Sequence, residues 1–405
     1  MSRILLPSGL LVLILLSGCS EAGIKRRAAR IHEKVWTVDT HTDTPLQIYR
    51  HNVDLGQRGD IKIDGGQVDF IRMREGGLDA AFFAAFIAQG DRTPAGNSRA
   101  RARAMDIIQS IYQAVGQHPE LAAMAYSTSV IDQLEWEGKR AIYIGIENGY
   151  AVGSDLTNIQ SFYELGARYL TLCHTKNNDI CDSSTDTTEH GGLSDFGREV
   201  VREMNRLGMI VDVSHASDQA FYDILEISSA PVIASHSCAR AVRDNPRNLD
   251  DDMLRALAKN GGVVQMCILS YYVKDIVQTP ERDSVNVVLK QKWGSYDDRS
   301  DEQKRLARID FDQLDKDYPE ILATVSDAVD HIDHIVKIVG IDHVGIGTDF
   351  DGGGGLADCN DASQLGNITL ELLRRGYSQE DIGKIWGGNF RRVFAAVETI
   401  AAKQN

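Results

Sequence analysis

The chain of 405 residues contains no useful run of lysine or arginine, and its 58 acidic residues outnumber its 43 basic ones. A formal charge of −15 argues against nucleic acid as a partner, because phosphate binding needs a basic footprint. No C-x-x-C pair occurs among the six cysteines, so the zinc-knuckle pattern is missing. Ser214 and Ser235 stand outside any nucleophile-elbow pattern, which argues against a serine hydrolase. The glycine run "DGGGG" (351–355) has no Lys-Ser/Thr partner and is not a phosphate loop; it is read as giving its loop mobility. Internal repeats and low-complexity tracts are lacking too. What is present is globular composition, 43% hydrophobic and 25% charged, in a chain long enough to bury a large core.

The first residues, "MSRILLPSGLLVLILLSGC", carry one arginine, an apolar run too short for a confident membrane span, and small residues before Cys19. This resembles a bacterial lipoprotein signal. It implies cleavage after residue 18, lipidation of Cys19, and an exported, membrane-anchored protein facing the periplasm or the cell surface. Ser20 then resembles an outer-membrane address. Residues 19–30 read as a connector and 31–405 as one catalytic domain. Besides the lipidated Cys19 five cysteines remain, Cys173, Cys181, Cys238, Cys267 and Cys359, and an odd number leaves at least one thiol unpaired.

From residue 35 onward, short β-branched runs alternate with segments of helical period. The runs fall at 35–41, 79–86, 141–147, 168–174, 209–215, 231–236, 262–268 and 343–349. Helix signals lie between them. Ser194 and Asp195 open one segment that Gly208 stops, Gly340 stops another, and Ser378 with Asp381 forms a capping box. Eight strand–helix units predict an α/β fold, a TIM-like (β/α)8 barrel. The charged stretch at about 275–320 interrupts the rhythm and is expected to be an excursion partly shielding the mouth.

Acids and histidines collect at the ends of these runs: His41 and Asp43, Glu147, His174, His215, His236 and Asp349. In a barrel those ends converge on one mouth. A single histidine after an apolar run is usually a hydrogen-bonded loop residue. Five such ligands at the same end of successive strands instead predict a metal site. At strand spacing His41 and Asp43 point to one side, and imidazole with carboxylate suits zinc. A glutamate between two histidine-bearing regions can bridge two ions, and such a pair lowers the pKa of a shared water. His331 and His334, at helical i, i+3 spacing, are read as surface residues of an outer helix.

These motifs resemble those of the membrane (renal-type) dipeptidases, binuclear-zinc members of the amidohydrolase-like barrels. The resemblance runs from about residue 31 to the C-terminus through "DTHTDTP", "GIENG", "LTLCHTKNN", "DVSHAS", "ASHSCAR", "PRNLDDDMLR", "VGIGTDFDG" and "GGNFRRVF". It implies two zinc ions per chain, one held by His41 and Asp43, the other by His215 and His236, with Glu147 bridging. It further implies that His174 contacts the substrate carbonyl and its oxyanion, Arg247 the substrate's terminal carboxylate, and Asp349 the proton going to the amine. Tyr272 would line the pocket. A bidentate guanidinium–carboxylate fit supports the Arg247 role independently. Thr40 and Thr42 stand where the family often has Gly and Asn.

The implied activity is hydrolysis of dipeptides by hydroxide held at the metals, in a homodimer. Two other readings stand beside it. A barrel hydrolase of cyclic amides or lactones commonly bridges its metals with a carboxylated lysine, whereas Lys176 lies beyond the fourth run. A non-catalytic metal- or peptide-binding lipoprotein would be expected to have lost Asp349 or a ligand, and none is lost.

Overall fold

The computed structural model describes residues 20–61, 66–294 and 299–404; the segment read as an export signal, and Cys19, fall outside them. Nine parallel strands form one sheet among the described residues: β1 (Val38–Thr42), β2 (Ala80–Phe86), β3 (Ala122–Met124), β4 (Arg140–Glu147), β5 (Ala167–Thr171), β6 (Ile210–Asp212), β7 (Ile233–Ser237), β8 (Val263–Met266) and β9 (Val344–Ile346). Their order is β1-β2-β4-β5-β6-β7-β8-β9, each bonded to the next, and β3 pairs with the first residues of β4. All eight apolar runs became strands of the barrel. The one strand not foreseen, β3, is three residues long and too short for a period to declare itself.

The seam between β9 and β1 is closed just past the strand ends, where Asp349 N donates to His41 O (3.0 Å) and Asp43 N to Phe350 O (2.8 Å). Asp39 reinforces it from the side chain. Its Oδ1 accepts from Thr348 N at 2.8 Å and its Oδ2 from the Thr348 hydroxyl at 2.5 Å. Thr40 adds a further stitch, its hydroxyl lying 2.8 Å from Ser235 O on β7 and 3.2 Å from Ile346 O on β9. The threonine beside His41 thus ties three strands.

An aromatic plug lies below the mouth. Phe82 stacks on Tyr143 at 4.8 Å and on Tyr169 at 5.2 Å, and Phe390 of the last helix meets Phe82 edge-on at 5.2 Å. Gly145 makes room for Tyr169, since a Cβ there would stand 2.1 Å from its ring. The expected helix signals are used as read. Ser194 caps Asp195–Leu207, which Gly208 ends in a left-handed turn, and Ser378 with Asp381 forms a reciprocal capping box.

The charged insertion forms two helices, Pro280–Trp293 and Asp301–Asp317, joined antiparallel by Arg282–Asp315 (2.8 Å) and Lys292–Asp310 (2.6 Å). Two expectations need correction. His331 is fully buried rather than on the surface: its Nδ1 accepts from Ala239 N at 3.0 Å and its Nε2 donates to Val273 O at 2.7 Å. It braces the loop after β7 against the segment holding Tyr272. His334 is partly buried and pairs with Asp251 at 2.6 Å.

The helix Glu21–His32 docks on the barrel through His32, whose ring meets Trp386 edge-on at 5.0 Å. Trp386 Nε1 donates to the Thr369 hydroxyl, which lies 2.7 Å from His32 Nδ1, while His32 Nε2 donates to Gly76 O at 2.7 Å. Burial lowers the pKa of this imidazole, outweighing the Gly76 carbonyl and Asp79, so the folded ring is neutral. The folded protein therefore binds this proton more weakly than the unfolded chain. Its contribution is complete above pH 6.5 and declines as pH falls below that value. Thermal melts of wild type and His32→Asn at pH 7.5 and 5.5 test this. Wild type is expected to lose more stability on acidification than the variant; equal losses would contradict it.

Candidate metal centre

Glu147 ends β4 in the floor of the mouth with its side chain buried, and its two oxygens face different groups. Oε2 lies 3.5 Å from His41 Nε2. Oε1 lies 3.2 Å from His215 Nε2, 3.6 Å from His236 Nε2 and 3.7 Å from His174 Nε2. Asp349 Oδ1 completes the first side, 4.0 Å from His41 Nε2. Three ligand-capable groups result, in each of which one atom per residue lies within 4.8 Å of the others: His41, Glu147 and His236; Glu147, His174 and His215; His41, Asp43 and Asp349.

The chain reaches this arrangement by different local means. His41 belongs to β1, and its Nδ1 is 2.8 Å from the Tyr169 hydroxyl. Asp43 lies beyond the strand, at φ −88° and ψ 17°, as the first boundary residue of the helix Thr44–His51. A register shift in β1 between Asp39 and Thr42 precedes it, so simple strand alternation is not what brings His41 and Asp43 together. His215 and Asp349 both have left-handed backbones, φ 71° and 63°. Such a conformation costs about 1–3 kcal/mol at a non-glycine residue and persists where the surroundings enforce it.

The electrostatics are those of a site short of positive charge. Burial raises the pKa of Asp43 and of Asp349 well above the carboxylate range, and for Asp43 the neighbouring Glu147 adds to it. Burial opposes ionisation of Glu147 as well, yet His41, His174 and His215 hold it well below its usual value. Burial disfavours a charged His41 also, but Glu147, Asp43 and Asp349 reverse that and push it up to about 10. Burial holds His174 down, and His215 and His236 well down, so these rings present neutral nitrogens. His41 Nε2, Asp43 Oδ1 and Glu147 Oε2 are buried without a hydrogen-bond partner. Unpaired buried atoms of this kind carry a desolvation cost, and a cation bound among them removes it. The donor set of imidazole and carboxylate fits a divalent metal such as zinc.

Arg247 is buried beside the cluster. One terminal nitrogen donates to His236 O at 3.2 Å, the guanidinium lies 5.3 Å from the Tyr272 ring centroid, and Nε has no partner. His174 is the most exposed of the four histidines in the cluster, with Phe86 edge-on at 4.7 Å. Cys267 Sγ lies 4.0 Å from Asp349 Oδ2, and the five described cysteines are all buried free thiols. Lys176 is exposed and pairs with Asp186 at 3.5 Å, away from the cluster.

All the candidate ligands converge, together with His174, Arg247, Tyr272 and Asp349. Sequence reasoning missed the supports: Tyr169 under His41, Asp39 at the seam, and Asp212 with Ser235 behind His236. Asp39 and Asp212 left a signal, since an aspartate inside an apolar strand run must be fully hydrogen-bonded to be tolerated. Gly352 belongs to the run read as giving its loop mobility, and its lack of a side chain has a further use. A Cβ there would stand 2.2 Å from Asp43 Oδ2 and 2.4 Å from Asp349 Oδ1, so the glycine permits close approach.

A parallel α/β barrel carrying buried imidazoles and carboxylates at its strand ends defines a metal-dependent hydrolase. The comparisons make this specific: the chain belongs to the membrane dipeptidase family, peptidase family M19, whose sequence model matches residues 25–405. Dipeptidase ataJ of Aspergillus terreus is 32% identical over 93% of this chain and 88% of its own length. Human dipeptidase 3 is 32% identical over 93% of this chain and 68% of its own. The crystal structure of the probable dipeptidase PvdM from Pseudomonas aeruginosa superposes with a TM-score of 0.79 at 31% identity, covering 94% of this chain and all of that one.

Gly352→Ala is expected to displace Asp43 and Asp349 while the fold survives, because the glycine is not in a left-handed conformation. A shift on the ångström scale costs about 100-fold in turnover. Dipeptide hydrolysis measured beside circular dichroism checks this; near-normal turnover in a folded variant would contradict it.

Proposed function

We propose that this chain is a zinc-dependent dipeptidase in which His41 and Asp43 hold one ion, His215 and His236 the other, and Glu147 bridges them. The single observation carrying this reading is the division of Glu147, Oε2 toward His41 and Oε1 toward His215 and His236. Bound there, the ions would lower the pKa of a shared water toward neutrality, supplying hydroxide, and polarise the scissile carbonyl.

The residues divide the remaining work. His174, neutral and at the more open edge, donates a hydrogen bond to the oxyanion that develops on the scissile carbonyl. Arg247, with an unpartnered Nε beside the cluster, receives the C-terminal carboxylate, and the Tyr272 ring holds its guanidinium in place. This limits the substrate to a short peptide whose carboxylate lies one residue from the scissile bond. Asp349, whose burial favours the protonated form, delivers a proton to the departing amine nitrogen. The exposed position of Lys176 gives no support to a carboxylated-lysine hydrolase of cyclic amides or lactones.

The cellular reading remains that of the sequence: a signal over residues 1–18, an anchor on Cys19, and a connector leading to a single barrel domain exposed to the periplasm or cell surface. No helix among the described residues is long and apolar enough to cross a membrane. Assembly as a homodimer belongs to the same proposal.

Two measurements test the chemistry. Purified wild type is expected to contain two zinc ions per chain, and Glu147→Gln one or none, with dipeptidase activity lost. Full activity in that variant would end the binuclear reading. Free dipeptides are expected to be cleaved far better than C-terminally amidated ones. Arg247→Ala should erase that difference while lowering kcat/KM for free dipeptides about 100-fold, as expected for an unpaired buried charge. Equal turnover of free and amidated substrates by wild type would remove the Arg247 assignment.

A further inference from the structure

We infer that Asp212 is a positioning residue that acts through Ser235 to fix the tautomer of His236, leaving Nε2 as the bare nitrogen facing the metal site. The inference rests on the metal reading above and adds to it residues outside the ligand set.

A buried chain of hydrogen bonds determines where each proton lies. Asp212, at the end of β6, is fully buried and accepts four hydrogen bonds, two on each oxygen. Oδ1 takes Ser235 N at 2.8 Å and Ser214 N at 3.0 Å; Oδ2 takes the Ser235 hydroxyl at 2.6 Å and the Thr171 hydroxyl at 2.5 Å. Two backbone amides and two hydroxyls donate to it, so in this arrangement Asp212 acts only as an acceptor. Ser235 has a single hydroxyl proton, and Asp212 takes it. The Ser235 oxygen is also 2.8 Å from His236 Nδ1, and toward that nitrogen it can now only accept. Nδ1 must therefore carry the ring proton. A neutral imidazole has one N–H, so Nε2 is left with its lone pair, 3.6 Å from Glu147 Oε1 and 2.9 Å from His215 Nε2.

The backbone is held by the same group. His236 N donates to the Ser214 hydroxyl at 3.0 Å, and Ser214 N is itself fixed on Asp212. Asp212 thus joins β5, β6 and β7 while setting one ring's protonation. His215 has no such support, for its Nδ1 is buried without a partner. The two histidines assigned to one ion are therefore held unequally, and loss of the Ser235 contact should fall on His236 alone.

Removing a group that orients a ligand histidine typically weakens metal affinity by about 10–100-fold. Apoprotein of wild type, Ser235→Ala, Ser235→Thr and Asp212→Asn should be titrated with zinc against a competing chelator. Apo melting temperatures and nitrogen-15 spectra of labelled histidine would be recorded in parallel. Ser235→Ala keeps three of the four bonds to Asp212, so its apo melting temperature should stay near wild type. Its affinity for one of two zinc ions should fall within that range, and Ser235→Thr should restore it. In wild-type apoprotein the His236 resonance, assigned by its loss in His236→Gln, should show the proton on Nδ1. A proton fixed on Nε2, or unchanged zinc affinity in a folded Ser235→Ala, would overturn the inference. Should Ser235→Ala not fold, the wild-type tautomer and the affinity of Asp212→Asn decide it in the same way. A wild-type chain that binds no zinc defeats the metal reading itself, an outcome distinct from intact binding that Ser235→Ala leaves unchanged.

Discussion

The buried carboxylate of Glu147 is the constraint on which the mouth of the barrel depends. It sits at the end of a strand, removed from water, with imidazoles on both sides and Asp43 and Asp349 nearby. Isolated negative charge in such a place is costly, and it persists only where cationic or hydrogen-bonding partners compensate. Several features around it can be understood as answers to that demand. The site is built from groups that complete their pairing when a cation is present, which is why three of its buried atoms have no protein partner.

Holding such a cluster together requires a frame that does not give way. Asp39 and Asp212 supply much of it, one tying β1 to β9 at the seam, the other joining β5, β6 and β7. Both are buried acids whose oxygens accept from backbone amides and hydroxyls, so each holds several strand ends at once. Tyr169 plays a parallel part from below, joining the aromatic plug to His41 through its hydroxyl. The strained backbones of His215 and Asp349 fit this account, since a rigid frame can enforce a conformation that local preference resists.

The eight barrel strands, the helix caps and the convergence of histidines and acids were legible in the sequence because each leaves a local signature: an apolar run, a serine before an acid, a histidine at a strand end. Position in three dimensions was less legible. His331 looked like an outer-face residue because helical spacing says nothing of what packs against that face. Gly352 looked like a mobile loop residue, although its lack of a side chain serves the carboxylates beside it. His41 and Asp43 do meet, but through a register shift and a turn into a helix that alternation alone does not foresee. Thr40 and Ser235 were silent for a related reason, since a hydroxyl's partner is set by strands distant in sequence.

In the proposed site the two oxygens of Glu147 serve two different metal ions. Anomalous diffraction at the zinc absorption edge from crystals of the zinc-loaded protein tests it most directly. Two peaks are expected, one shared by Glu147 Oε2, His41 and Asp43, the other by Oε1, His215 and His236. A single peak, or a pair that leaves Glu147 uncoordinated, would contradict it.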